Sequence, residues 1–264
     1  NKTLALLAYT GHGSVKQQGF HSTPEFTTNG MLAKAWRKNP LGNKGIFLYK
    51  SGSSACANCG KEPYSEFYAY QVAKKMELAA TPYALGKWKG KINSICELFS
   101  SKEYSFVPVY RLVTSGGWNA VLEYYQALGD EFYEALVDMI IFDVIIVNTD
   151  RHFGNFGFLV DNTTNKIVKV APIFDNGLSL FYAGMDDEFE DIDEYASNQV
   201  MKNAGNFMIF AASIITSREK KKIGKLINFK FERDSQYNLP AKRLRVIEGF
   251  ISRRVEALLK LESN

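Results

Sequence analysis

The run Phe132 to Val147, FYEALVDMIIFDVIIV, is strongly apolar with helical spacing, and the polar stretch Asn148 to Leu159, NTDRHFGNFGFL, follows it without a spacer. The helix is shorter than the roughly 20 residues of a membrane span. Together with IVKVAPIFDNG downstream, the loop sets two carboxylates, Asp150 and Asp175, and one amide, Asn155, on short connections beside strand-like apolar runs. Polar loop residues are ordinary turn formers. Their meaning therefore has to come from the rest of the chain.

At 264 residues there is room for one large domain or two closely packed lobes. A net charge of +4 favours solubility and an anionic ligand, and is far from the balance of a nucleic-acid-binding protein. TLALLAY lacks the flanks of a signal peptide. The first residue is Asn, so a preceding piece is expected to be missing. Cys56 and Cys59 form a lone C-x-x-C, with Cys96 far away; three cysteines make no disulfide framework and too few ligands for zinc. A reducing, cytoplasmic setting is the expectation.

The first hundred residues read as strands. MLAKAWR (31–37) and GIFLYK (45–50) flank the turn-rich KNPLGN, and YALGKW and INSICELF flank KGK, giving two hairpins. A helix from Tyr64 to Ala80 lies between them, with Pro63 favourable at its start. From about Asn119 the pattern turns helical, interrupted by a hairpin at NTTN (162–165), and the basic runs KKKIGK (220–225) and 243–260 read as further helices. The expected fold class is α+β: a strand-rich lobe with one helix (1–100) joined to a larger helical lobe (101–264), sharing one cleft.

On the helix, residues 66, 69, 73, 76 and 80 share a face, and Glu66 is the only carboxylate on that apolar side. A buried unpaired charge costs several kcal/mol, so Glu66 needs a cation or must point outward from the helix start. Lys50, closing the apolar strand IFLY, is the nearby candidate. A Lys50–Glu66 pair would hold a lysine ready for phosphate oxygens. Two loops could offer backbone N–H groups to an anion: TTNG (Thr27, Thr28, Asn29, Gly30), favoured by its position before the first hairpin, and GHGS (11–14). Phosphoryl transfer also needs a carboxylate at the attacking hydroxyl and oxygen ligands for Mg²⁺. Asp150 would supply the first, Asn155 and Asp175 the second. His152 reads as a brace for the loop, Arg151 as a contact to phosphate or to a loop carboxylate, and Asp143 as a structural anchor for the loop.

The order Lys50, Glu66, Asp150-Arg-His-x-x-Asn155, Asp175-Asn-Gly resembles the HipA-like family of bacterial serine/threonine kinases, including its compact CtkA-type members. The resemblance implies a two-lobed protein-kinase-like fold and an ATP- and Mg²⁺-dependent enzyme acting on Ser or Thr of a protein. It implies Asp150 as catalytic aspartate, Asn155 and Asp175 as metal ligands, Lys50 as the nucleotide-phosphate lysine and Glu66 as its partner. Glu97, Leu98 and Phe99 resemble the linker whose backbone receives adenine. An antitoxin-like partner is a further implication; membrane or direct nucleic-acid binding is not expected. The D-R-H order, reversed from H-R-D, is shared with phosphatidylinositol kinases and leaves a lipid or small-molecule acceptor open. A nucleotide-binding scaffold without transfer is the third reading. Ser14, Ser22, Thr23, Thr27 and Thr28 are candidate autophosphorylation sites.

Overall fold

The computed structural model describes residues 32–38, 45–54 and 59–263. TTNG, GHGS and the five candidate autophosphorylation sites lie outside these residues. Two antiparallel sheets organise the chain. The first contains β1 (Lys34–Lys38), β2 (Ile46–Ser51), β3 (Ala84–Trp88) and β4 (Lys91–Glu97), in the order β1-β2-β4-β3. The two expected hairpins are both present. β3 and β4 are joined by Lys89 and Gly90, both at positive φ, which suits the twist of a two-residue hairpin.

Helix α1 (Glu62–Lys75) connects the hairpins and carries Pro63 in its first turn. It is shorter than the reading to Ala80. Glu77 turns to φ 58° and Leu78 N bonds back to Ala73 O, closing the helix. Residues 79–81 instead pair with the segment leading to Asp175: Ile173 N donates to Ala79 O at 2.8 Å and Thr81 N to Ile173 O at 2.9 Å. The chain gives up one helical turn here to anchor the second candidate loop.

The second half holds α2 (Gly117–Leu128), α3 (Asp130–Ile146) and a three-stranded sheet of β5 (Tyr104–Pro108), β6 (Gly157–Asp161) and β7 (Ile167–Val170). Helices α4 (Ile192–Ser197), α5 (Phe207–Ile214), α6 (Ser217–Gly224) and α7 (Ala241–Lys260) complete it. The NTTN hairpin forms as expected, its turn held by Asp161 Oδ1 accepting from Thr163 N and Thr164 N. Strand β5 is not anticipated by the sequence reading. It pairs with β6 through Gly157, where a Cβ would meet Val107 O at 2.2 Å, so only glycine permits the approach.

Every residue of α3 from Leu136 to Ile146 is buried, as a helix apolar on all sides requires. Its core also takes in Tyr68, Ala69, Val72, Ala73 and Met76 of α1, so α1 packs into the helical half as well as against the first sheet. Among the described residues no helix is long and apolar enough to cross a membrane. Cys96 is a buried free thiol, and Cys59 is disulfide-bonded, a bond that the cysteine reading did not anticipate. Ile145 has no solvent exposure. Ile145→Ala is expected to cost about 2–5 kcal/mol in urea unfolding, because the close-packed surroundings collapse only partly around the lost volume.

Candidate active site

The end of α3 sets the first loop. Val147 closes the helix in the left-handed region, with its N–H on Asp143 O, and NTDRHFGN follows at once. Asn148 donates its Nδ2 to Asp143 Oδ1 at 3.0 Å and accepts from Asp150 N at 3.2 Å. His152 Nδ1 accepts from Gly154 N at 3.0 Å, the bracing role read for it. Asn155 Nδ2 donates to Asp150 O at 3.4 Å, which leaves its amide oxygen as the group able to face a cation.

Arg151 settles on a carboxylate. It is fully buried, with Nε on Asp143 Oδ2 at 2.8 Å and one terminal nitrogen on Asp143 Oδ1 at 2.9 Å and Asn176 Oδ1 at 2.6 Å. The other terminal nitrogen donates to Asn155 O at 3.1 Å and Phe174 O at 2.6 Å. Burial works against its charge, and Asp143 more than restores it, leaving the guanidinium above its ordinary range. Asp143 thus anchors the loop through the side chains of Arg151 and Asn148. One guanidinium ties the loop bearing Asp150 and Asn155 to the loop bearing Asp175.

The second cluster faces the first sheet. Lys50 Nζ donates to Glu66 Oε1 at 2.6 Å and to Asp175 Oδ1 at 2.5 Å. Asn176 N donates to the other Glu66 oxygen at 2.8 Å, and Asp175 N to the Tyr83 hydroxyl at 3.2 Å. Burial alone would discharge Lys50, yet Asp175 and Glu66 hold its ammonium well above the usual lysine range. Burial raises Glu66, against the pull of Lys50 and the Asn176 amide. Burial likewise opposes the charge on Asp175, but Lys50 brings its pKa down to about 2. Lys34, in register with Lys50 on β1, is lowered by burial and by the charge of Lys50. Tyr83 and Cys96 are pushed up by burial, Cys96 to about 12.

Glu97 ends β4 and is exposed, and Leu98 N is taken by Ile46 O at 2.8 Å. Phe99 packs on Phe106 and Phe174, the residue before Asp175. Asp150 pairs with Lys202, whose Nζ donates to Oδ1 at 2.6 Å. The sequence reading missed Lys202, Tyr83, Asn176 and Lys34. Asn176 alone had a signal, since it stands inside FDNG beside Asp175. A carboxylate plus an amide oxygen suits Mg²⁺, which takes few protein ligands, and the shared Arg151 draws the backbones of Asn155 and Phe174 together. Among the described residues no group of three or more His, Cys, Asp or Glu could hold a metal ion.

No protein-family model matches the chain. It is 31% identical over 132 residues to the serine/threonine-protein kinase CtkA of Helicobacter pylori, a match covering 45% of this chain and 40% of that protein. The chain thus spans about two fifths of the curated relative it matches. Among solved structures it is similar to the Helicobacter pylori proinflammatory kinase CtkA, with TM-score 0.65 and 18% identity, covering 89% of this chain and 94% of that one. A HipA–HipB–operator DNA complex of Shewanella oneidensis matches with TM-score 0.46 and 11% identity, over 93% and 70% of the two chains. The fold is the two-lobed α+β, kinase-like fold of CtkA. The sequence similarity to CtkA supports the HipA-like resemblance read from the motif order.

Removing one partner of a buried ion pair leaves the other uncompensated, so Asp143→Ala is expected to destabilise the protein by about 3–5 kcal/mol in chemical denaturation. The lowered pKa of Asp175 gives a second expectation. Its charge stabilises the folded state above the unfolded carboxyl value of roughly 4, and that contribution is lost as pH falls towards about 2. Urea midpoints of the wild type and Asp175→Asn should therefore differ at neutral pH and converge across this window.

Proposed function

We propose that this chain is an ATP- and Mg²⁺-dependent phosphotransferase that transfers the γ-phosphoryl group to a Ser or Thr hydroxyl of a protein. The observation that carries this reading is the meeting of Lys50, Glu66 and Asp175 at one point, although Lys50 and Asp175 are 125 residues apart. A lysine shared by a helix carboxylate and a loop carboxylate is what nucleotide phosphates require on one side and their metal on the other. The sequence similarity to a serine/threonine-protein kinase supports the same class.

In this reading, residues 1–100 and 101–264 are the lobes that enclose ATP. Lys50 contacts nucleotide phosphates and Glu66 keeps it oriented. TTNG, outside the described residues, is the candidate phosphate loop, and adenine meets the backbone of Glu97 to Phe99 at groups other than the Leu98 amide, which is bonded to Ile46. Asp150 orients the acceptor hydroxyl and takes its proton. Mg²⁺ held by Asn155 and Asp175 would neutralise charge on the phosphates. Arg151 keeps the backbone carbonyls of Asn155 and Phe174 on one donor, so the two metal-binding side chains start from a common frame.

The test is transfer from γ-labelled ATP, with separate protein and phosphoinositide acceptors and mass spectrometry of the enzyme itself. Asp150→Ala should lower turnover by about 10² to 10⁴, the usual range for a general base. Full transfer by Asp150→Ala to every labelled acceptor would remove the assigned role. Labelling confined to the phosphoinositide would move the acceptor class to lipids. Tight ATP binding with no transfer would make the chain a scaffold.

A further inference from the structure

NTDRHFGN contains two residues that can carry positive charge, Arg151 and His152, and the Arg151 guanidinium is not free to meet a phosphate. All five N–H donors of Arg151 are engaged inside the protein. His152 uses Nδ1 to accept from Gly154 N, which leaves Nε2 as its one ring donor. The cation beside Asp150 comes from elsewhere: Lys202, 52 residues on, beyond FDNG.

Its backbone is firmly held. Met201 is buried, and Met201 N donates to Gly205 O at 2.8 Å while Gly205 N returns to Met201 O at 3.0 Å, closing a tight turn. The indole of Trp118 donates to Lys202 O at 3.2 Å. That indole stacks on Phe156 at 5.4 Å and 4° and meets Phe153 edge-on, both in the stretch that carries Asp150. The turn and the loop are therefore fixed to each other through one ring. The Lys202 side chain nevertheless stays 47% exposed. An exposed ion pair contributes only about 0–1 kcal/mol, so stability gives little reason for so fixed a presentation.

We propose that Lys202 is a catalytic cation that contacts the transferred phosphoryl group, supplied by the segment after FDNG and not by the engaged Arg151 of NTDRHFGN. This rests on the phosphotransferase reading above. In the structure its ammonium pairs with Asp150. In the transferring complex it turns to the phosphoryl oxygens and leaves the Asp150 carboxylate for the acceptor. The acceptor oxygen then bonds to the γ-phosphorus as the bond to the bridging oxygen breaks. ADP departs with that electron pair, Asp150 receives the hydroxyl proton, and Lys202 exchanges no proton.

The experiment compares wild type, Lys202→Met and Lys202→Arg by steady-state transfer from γ-labelled ATP, with ADP affinity measured by calorimetry. Lys202→Met should lose about 10² in kcat, the scale of one lost transition-state donor. KM for ATP should stay within about threefold, since the contact is made in the transition state. ADP affinity should not change, and Lys202→Arg should recover much of the rate. Wild-type kcat in Lys202→Met overturns the proposal. So does an equal loss in both variants accompanied by weakened ADP binding, which would mark a structural role. Absence of transfer by the wild type itself removes the phosphotransferase reading, and this one with it.

Discussion

The buried guanidinium of Arg151 is the interaction on which the site depends. Taking such a charge out of water costs several kcal/mol. The cost is offset because Asp143 receives it in a two-point contact and three further oxygens take its remaining donors. Asp143 belongs to the central helix, Asn155 to the first loop, Phe174 and Asn176 to the second. A lysine could not replace it, since three donors on one atom cannot span five acceptors spread over three segments. The apolar helix that first constrains the fold thus also fixes the polar loops, through the one carboxylate, Asp143, that it carries fully buried among its apolar residues.

The Lys50 cluster is held from the other side by α1. Ser65 Oγ donates to Ser179 O at 2.9 Å, Tyr68 Oη to Asn238 Oδ1 at 2.8 Å, and Gln71 exchanges two hydrogen bonds with the backbone of Glu232. These contacts join α1 to the helical half, where its apolar face already shares the core of α3. Moving α1 so that Glu66 leaves Lys50 would disturb all of them together with the Asn176–Glu66 bond. The pair is therefore part of the packed structure and does not hang on the first sheet alone.

Much of this was legible in sequence because charge on an apolar element is rare and must be explained. Glu66 on the inner face of α1 and Lys50 at the end of β2 stood out for that reason, and FDNG supplied the third member by its order in the chain. The fold class, the two hairpins of the first sheet and the NTTN hairpin followed from periodicity and turn residues. What stayed hidden depends on distance in three dimensions. Arg151 had two equal readings until its five acceptors were visible, and Lys202 sits in an unremarkable surface stretch, MKNAG. Tyr83 looked like an ordinary strand aromatic, and Lys34 acquires meaning only through its register with Lys50. The end of α1 was misplaced because pairing of residues 79–81 with Ile173 overrode local helical spacing.

The site's cations are graded by burial. Arg151 has no exposure and every donor engaged, so it can only hold. Lys50, nearly buried, is shared between a carboxylate with no exposure and one whose side chain is 38% exposed. That asymmetry matters for the proposed metal. An entering cation can draw Asp175 away without leaving Lys50 unpaired, because Glu66 stays on it, itself steadied by the Asn176 amide. In the proposed complex Lys50 would exchange one anionic partner for phosphate oxygens and keep the other. The buried carboxylate on the wrong face of α1 is what makes the exposed one available.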